Sequence, residues 1–387
     1  MHLSPIDPPP RVLHLTQPVD GGVARVVTDL VGAQLADGLH VTVACPDSPL
    51  AARLGELGAD VRPWAATRSP GGSTAGETRR LARIAAEVRP ELVHAHSAKA
   101  GLAGRLALRG RIPTVFQPHA WSFEAVDGTA AALARGWERW GARWAARVVC
   151  VSEAERRLGE AAGVRGRWSV VPNGIDVDRF RPADAGTVRA ALLPDTDGRG
   201  PLVVCVGRLC RQKGQDVLLT AWESVLRRVP GARLVLVGDG PDHGRLRALA
   251  PPSVRFAGDV ADVVPWYQAA DVVVLPSRWE GMALAPLEAM ACGRPVVVTD
   301  VGGARESLPP GLVPHCLVPA LAPAALAGAV AGLLLDPALR RSLGDRGRRH
   351  VLSTHDVRRT ARAVADVYRE LLGARAESTE RRESVAS

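Results

Sequence analysis

Residues 271–303, DVVVLPSRWEGMALAPLEAMACGRPVVVTDVGG, leave the chain few folds to choose from. Val272 to Leu275 is a short β-branched run closed by Pro276 and Ser277, the pattern of a strand buried on both faces of a parallel sheet. A loop follows, then Pro286 at an expected first helical position, with Glu288 in the first turn. Pro295 to Thr299 gives the next buried strand, and Gly302-Gly303 a turn that glycine makes at little cost. The order also has a chemical use. A helix start offers unpaired N–H groups and the positive end of a dipole to a phosphate. Glu280 before the helix and Glu288 on it stand eight residues apart, and each can accept hydrogen bonds from sugar hydroxyls flanking that phosphate. Alone, the two acids read as well as a solvated loop acid and a helix-dipole acid. The flanking strands and glycines favour the ligand reading.

The same alternation runs along the whole chain. Strands are expected at 12–16, 41–45, 60–62, 92–96, 114–118, 148–152 and 168–172. A second series follows at 202–209, 233–237, 253–257, 272–275, 295–298 and near Leu312. Alternation of this kind specifies an α/β fold with parallel, doubly wound sheets and a site at the strand carboxyl ends. Gly21-Gly22, His96, His119 and Ser152 all fall at such ends. At 387 residues the chain suits two Rossmann-like domains. A Pro/Asp/Gly-rich passage from Asp184 to Pro201 reads as their linker, giving domains at 1–190 and 199–356. A terminal helix is expected at 357–372, and the polar remainder, 373–387, reads as disordered.

Composition narrows the compartment and the partners. The six cysteines form no C-x-x-C pair, which suits buried free thiols in a reducing cytoplasm. The start, MHLSPIDPPP, lacks the basic and apolar regions of a secretory signal. The net charge of +9 attracts anions such as nucleotide diphosphates or an acidic lipid surface. Its excess is nearly all arginine in an Ala/Arg-rich sequence, so it is discounted as a mark of function, and nucleic acid is not expected as a partner. Residues 311–335 carry no charged side chain, but Pro314, Pro319 and Pro323 leave only 324–335 uninterrupted. That run is too short to span a bilayer and reads as a buried helix. Trp137, Trp140 and Trp144 share a helical face beside Arg135, Arg139, Arg143 and Arg147. Packing on the sheet is the preferred reading, and peripheral contact with an anionic membrane is left open.

EGMALAPLEAMACGRPVV (280–297) resembles the EG-x5-LEAMA-x-G-x-PVV motif of the retaining glycosyltransferases of family four, which have the GT-B fold. In that family Phe-Gly commonly stands where this chain has Met282-Ala283. The resemblance implies two Rossmann-like domains facing across a cleft, with the terminal helix crossing back to the first. It also implies transfer of a hexose, with retention, from a UDP- or GDP-linked donor to a hydroxyl acceptor. That acceptor would be a saccharide, a lipid-linked sugar or a small molecule, in polysaccharide or glycolipid assembly. No cofactor and no metal are implied, and the oligomeric state is left open.

Site residues follow from the same resemblance. Arg208 and Lys213, in VGRLCRQKG, match the family's GR-x4-KG and would bind the donor diphosphate, each contact worth roughly 1.5–3 kcal/mol. Gly281, Met282, Ala283 and Leu284 would lie along the phosphates, with Glu280 on the hexose and Glu288 on the ribose. Gly21 and Gly22 match a loop over the donor phosphate. His119, in QPHAWSF, matches a histidine beside the hexose, with Ala120 in place of the usual glycine. His94, His96 and Lys99 resemble a segment near the acceptor. Asp176 and Asp178 form D-x-D but read as a turn, and Gly238, Gly240 and Gly244 read as structural. A nucleotide-sugar 2-epimerase of the same fold and a non-catalytic transferase-like subunit are the alternatives.

Overall fold

The structure, a computed structural model, describes residues 9–193 and 200–386. The first eight residues, Ser387 and residues 194–199 of the expected linker lie outside the described residues. The chain forms two compact units, residues 1–172 with 357–387, and residues 173–356. The first holds seven parallel strands: β1 (Arg11–Thr16), β2 (His40–Cys45), β3 (Asp60–Pro63), β4 (Leu92–His96), β5 (Thr114–Gln117), β6 (Arg147–Cys150) and β7 (Trp168–Val170). Their order in the sheet is β3-β2-β1-β4-β5-β6-β7. The second holds β8 (Leu202–Val206), β9 (Arg233–Val237), β10 (Val254–Gly258), β11 (Val272–Leu275), β12 (Val296–Thr299) and β13 (Leu317–Val318). Their order is β10-β9-β8-β11-β12-β13. In each sheet the winding reverses at one pair, β1/β4 or β8/β11, and ligands of such sheets bind beyond the carboxyl ends at that point.

Four expectations need correction. The boundary falls at 172/173, before the Pro-rich passage. Ile175 donates its N–H to the His355 carbonyl at 2.8 Å, and Arg189 pairs with Asp271 at 2.8 Å, so residues 173–193 belong to the second unit. The strand placed near Leu312 is β13, and Leu312 itself is a fully buried residue ahead of the helix Val313–Cys316. The helix after β11 runs Leu284–Ala291, so Pro286 is its third residue and Glu288 lies in the second turn. The terminal helix does not stop at Leu372 but runs Val357–Ala386. Its buried stripe, Val364, Val367, Tyr368 and Leu371, packs into the first unit with Val12, Leu30, Leu92 and Val149. Beyond it the sequence has few large apolar residues but is rich in Ala, Glu and Arg, which favour helix.

The tryptophan helix also differs from its reading as a face packed on the sheet. Trp137, Trp140 and Trp144 pack on one another, with ring centroids 4.3–6.4 Å apart. Trp140 and Leu133 remain exposed. The helix is anchored by Glu138, which pairs with the equally buried Arg105 at 2.8 Å. The apolar run ending at Leu335 is the helix Pro323–Leu335, whose Leu326, Val330 and Leu334 are buried. No single described helix is long and apolar enough to cross a membrane. All six cysteines are buried and free.

Two glycines let the loops of the second unit touch backbone to backbone. Gly214, at φ +67°, lies where a Cβ would come 2.1 Å from the Pro276 carbonyl oxygen. At Gly302, φ +48°, a Cβ would come 1.8 Å from the Glu280 carbonyl oxygen. Neither side chain nor strain can be accommodated there, because the obstructing atom is main chain. Gly302→Ala should therefore lower unfolding free energy by at least about 2 kcal/mol in urea titration. Gly244→Ala is the control: nothing lies within 4 Å of its Cβ direction, and it sits in the helix His243–Leu249, where alanine should add roughly 0.5–1 kcal/mol. Equal effects of the two would show that the loops can part.

Candidate active site

The second unit builds its site at the β8/β11 switch point. After β8 the chain runs through Arg208 into a single 3-10 turn, Arg211–Lys213, and Gly214 then opens the helix Gln215–Arg228. After β11 it runs through Ser277 to Glu280 and on to the helix starting at Leu284. The two loops are stitched together along their length. Arg278 donates its N–H to the Gln212 carbonyl at 2.8 Å, and its guanidinium grips Asp216 at 2.8 and 2.9 Å. That contact holds the Asp216 carboxyl below its ordinary range, through hydrogen bonding to Arg278 set against partial burial. Gln212 Nε2 donates to the Trp279 carbonyl at 3.1 Å.

This frame brings the anticipated residues together. Lys213 Nζ lies 2.5 Å from Glu280 Oε1, which also accepts the Ser277 hydroxyl at 2.7 Å. The other carboxylate oxygen of Glu280 has no hydrogen bond from a described residue. Arg208 is half-buried, and its guanidinium makes no hydrogen bond or ion pair with a described residue, so a cation stands at the end of β8. Glu288 is buried and accepts the Tyr267 hydroxyl at 2.6 Å. Gly281, Met282 and Ala283 form the approach to the helix N-terminus, whose Ala283 cap leaves the first N–H groups without a side-chain partner. Asn173 donates to the Met282 carbonyl at 2.7 Å, and its own carbonyl is held by the His355 ring at 2.9 Å. Gly303 donates to the Gly281 carbonyl.

Sequence reasoning missed Ser277, Tyr267, Asn173 and the Arg278–Asp216 clamp. Only Ser277, three residues before Glu280, carried a local signal. Asp176 is a turn acid, accepting the N–H groups of Asp178 and Arg179, both at 3.0 Å. The VGDGPDHG loop serves the frame, since Asp239 accepts the N–H of Leu209 and Asp242 donates back to the Leu209 carbonyl.

Gly21, Gly22 and His119 lie in the first unit. Gly21 and Gly22 open the helix Gly21–Ala36 and are exposed, with Gly21 at φ +67°. His119 belongs to a chain of imidazoles built on the β1/β4 pair, where His14 stands opposite His94 in register. His14 Nδ1 is 3.0 Å from His96 Nε2, and His96 Nδ1 is 3.2 Å from His119 Nε2. His14 Nε2 meets Gln34 Oε1 at 2.8 Å, and His94 Nδ1 meets the Tyr368 hydroxyl at 2.6 Å. Lys99 is buried and paired with Glu77 at 2.6 Å, so it supports the 67–74 loop.

Among the described residues, His14, His94 and His96 are the one group with metal-competent nitrogens within 4.8 Å of one another. The sequence reading found no such group, because His14 is distant in sequence from His94 and His96 and meets them only across the paired strands β1 and β4. In the structure these nitrogens bond to one another, to Gln34 and to Tyr368. His94 Nε2 and Gln117 Oε1 are both buried without a regular hydrogen bond.

Burial keeps these rings neutral. It lowers His14 to about 4, against the Gln34 bond, and His94 and His96 well below the ordinary histidine value. His119 falls to about 3 for the same reason. Burial acts oppositely on Glu155, raising it to about 7, although Ala120 and Val151 donate their N–H groups to it. The signs oppose. An unfolded histidine binds a proton below about pH 6.5 that these rings refuse, so stability falls as pH drops from about 6.5 toward 4. Glu155 holds a proton that its unfolded form releases, so its contribution rises as pH drops from about 7 toward 4.5. From pH 7.5 to 5.0 the losses at His14, His94, His96 and His119 oppose a single gain at Glu155, so the losses win. The urea midpoint should therefore fall over that range; an unchanged midpoint would mean that the rings are already charged or open to water.

Known proteins match both units. The family of glycosyl transferases group 1 matches residues 200–336, and glycosyltransferase family 4 matches residues 20–179. The GDP-mannose-dependent alpha-(1-6)-phosphatidylinositol monomannoside mannosyltransferase of Mycobacterium tuberculosis is 38% identical over 241 residues, 57% of this chain and 61% of the relative. The UDP-Gal:alpha-D-GlcNAc-diphosphoundecaprenol alpha-1,3-galactosyltransferase of Escherichia coli is 30% identical over 55% of this chain and 58% of the relative. The alignments thus span about three fifths of the length of these curated relatives. Among solved structures, sucrose-phosphate synthase from Thermosynechococcus elongatus superposes with a TM-score of 0.79 at 25% identity, over 94% of this chain and 100% of the other. Anabaena HepE, solved in complex with UDP-glucose, gives 0.80 at 24% identity, over 93% of this chain and 100% of the other, a likeness of fold. With both units matched in sequence and fold, the chain belongs to the family 4 glycosyltransferases of the GT-B fold.

Proposed function

We propose that this chain transfers a hexose from a GDP- or UDP-linked donor to a hydroxyl acceptor, with retention at the anomeric carbon, in glycolipid or surface-polysaccharide assembly. The observation that carries the reading is the half-buried, unpartnered Arg208 on the loop it shares with Lys213, whose partner is a carboxylate with one oxygen to spare. A cation held without a counter-ion favours an anionic ligand, and a diphosphate supplies two charges for Arg208, Lys213 and the helix start at Leu284. As the bond to the sugar breaks, negative charge grows on the departing diphosphate, and these fixed positive groups stabilise it most at that moment. The free oxygen of Glu280 accepts from hexose hydroxyls, Glu288 from the ribose, and the leaving group needs no metal. Retention follows if acceptor and leaving group share one face of the sugar. The first unit selects the acceptor. Kinship with a phosphatidylinositol monomannoside mannosyltransferase and a diphosphoundecaprenol-linked galactosyltransferase supports a lipid-linked or saccharide acceptor.

Thermal unfolding with GDP, UDP, ADP and dTDP, each with and without EDTA, tests the donor site. A nucleotide at about a hundred times its Kd should add roughly 2.7 kcal/mol, and one base should stand out. EDTA should change nothing. No response to any nucleotide would leave a non-catalytic subunit as the better reading, and conversion of the nucleotide sugar to its 2-epimer would mark an epimerase. Lys213→Ala should cut turnover about a hundredfold or more while moving Tm by only a few degrees, since the pair it breaks is partly exposed. Parallel loss of turnover and fold would make Lys213 a structural residue. The anomeric configuration of the product, read by NMR against that of the donor, decides retention.

A further inference from the structure

The imidazole chain of the first unit assigns its own protons. Gln34 Nε2 lies 3.4 Å from the Tyr368 oxygen and can only donate, so the single Tyr368 proton goes to His94 Nδ1 at 2.6 Å. The same Gln34 amide turns its oxygen toward His14 at 2.8 Å. His14 is neutral and must donate from Nε2 to that oxygen, which leaves its Nδ1 a lone pair. The His14 lone pair accepts from His96 Nε2 at 3.0 Å, which leaves His96 Nδ1 bare. His96 Nδ1 in turn accepts from His119 Nε2 at 3.2 Å. Three links transmit one choice from Gln34 to His119. His119 ends the chain with its only proton on Nε2 and a bare Nδ1 that meets no donor among the described residues. The ring is also aimed by its backbone: His119 and Ala120 hold φ of +56° and +104°, and the buried Glu155 fixes the Ala120 N–H at 2.6 Å.

We infer that Gln34, His14 and His96 are positioning residues that hold His119 as a hydrogen-bond acceptor at Nδ1, so that the ligand group it takes is a hydroxyl and not a phosphate or carboxylate oxygen. An oxyanion has no proton to give, and a bare imidazole nitrogen facing it would repel it. A sugar hydroxyl gives its proton to that lone pair. The inference deepens the transferase reading and rests on it only for the hydroxyl being that of a sugar.

The test is a long-range proton–nitrogen NMR spectrum of the ligand-free full chain, labelled with 15N-histidine, at pH 7.5. The His119 signals are assigned by comparison with His119→Asn. The expected pattern is an N–H type shift at Nε2 and a lone-pair shift at Nδ1 for His14, His96 and His119. A proton on His119 Nδ1, alone or with Nε2 protonated as well, overturns the proposal. Gln34→Met keeps the length of the side chain and removes the acceptor. It should give mixed tautomer signals at His119 and lower kcat about tenfold with KM for the donor unchanged, the loss of one hydrogen bond. His119 signals that do not move in Gln34→Met also overturn it, because the chain would then set nothing. Should Gln34→Met fail to fold, the wild-type spectrum still decides. If the wild-type chain transfers no sugar at all, the transferase reading fails while the tautomer assignment stands or falls on the spectra alone.

Discussion

The second unit depends on one close approach, the Gly302 Cα against the Glu280 carbonyl, where the smallest side chain would intrude to 1.8 Å. That contact presses the turn after β12 onto the loop after β11, and Gly214 presses the loop after β8 onto the same segment from another side. With no side chain between them, the three loops form one slab of main chain. The Arg278 fork on Asp216 and the bonds through Gln212 then lock its sideways motion. Lys213, Ser277 and Glu280 meet because the slab leaves them nowhere else to go. Flexible loops would have to order these charges at the moment of binding, at a cost of roughly 1–2 kcal/mol for each residue fixed. Rigid loops have met that cost in folding.

What was readable in the sequence was what lies close together in it. Arg208 with Lys213, and Glu280 with Glu288, each fall within a single strand–loop–helix unit, so spacing alone places them at one sheet edge. The two doubly wound sheets were equally legible, because buried parallel strands need continuous β-branched runs that little else produces. The partners that complete the site were not legible. Asn173 reaches Met282 across 109 residues, and His14 meets His96 across 82, so no window of sequence contains both ends. The unit boundary was misplaced for a related reason. Proline and glycine mark where a helix or strand ends, whereas a domain ends where its contacts do, and Arg189 makes its contacts with Asp271 and the Ala269 carbonyl. The terminal helix went on past its apolar stripe because helix propensity and burial are separate quantities, and the sequence reading weighed only the second.

The two sheets share a winding pattern and furnish their switch points in opposite ways. At β8/β11 the groups are cations and carboxylates, partly open to water, where charge is affordable and a diphosphate can be matched. At β1/β4 they are imidazoles kept neutral by burial, each settled by a neighbour. A charge in that position would face a desolvation cost of several kcal/mol with no counter-ion near enough to offset it. Neutrality there is therefore imposed by the fold, and it has a consequence for recognition. A neutral ring with one proton has one donor and one acceptor, so fixing one end decides the other. The buried side of the chain, at Gln34 and Tyr368, makes that decision far from solvent, where no water can reverse it. A surface histidine would choose its tautomer afresh with every ligand; in the arrangement proposed above, the buried end of the chain makes that choice for His119.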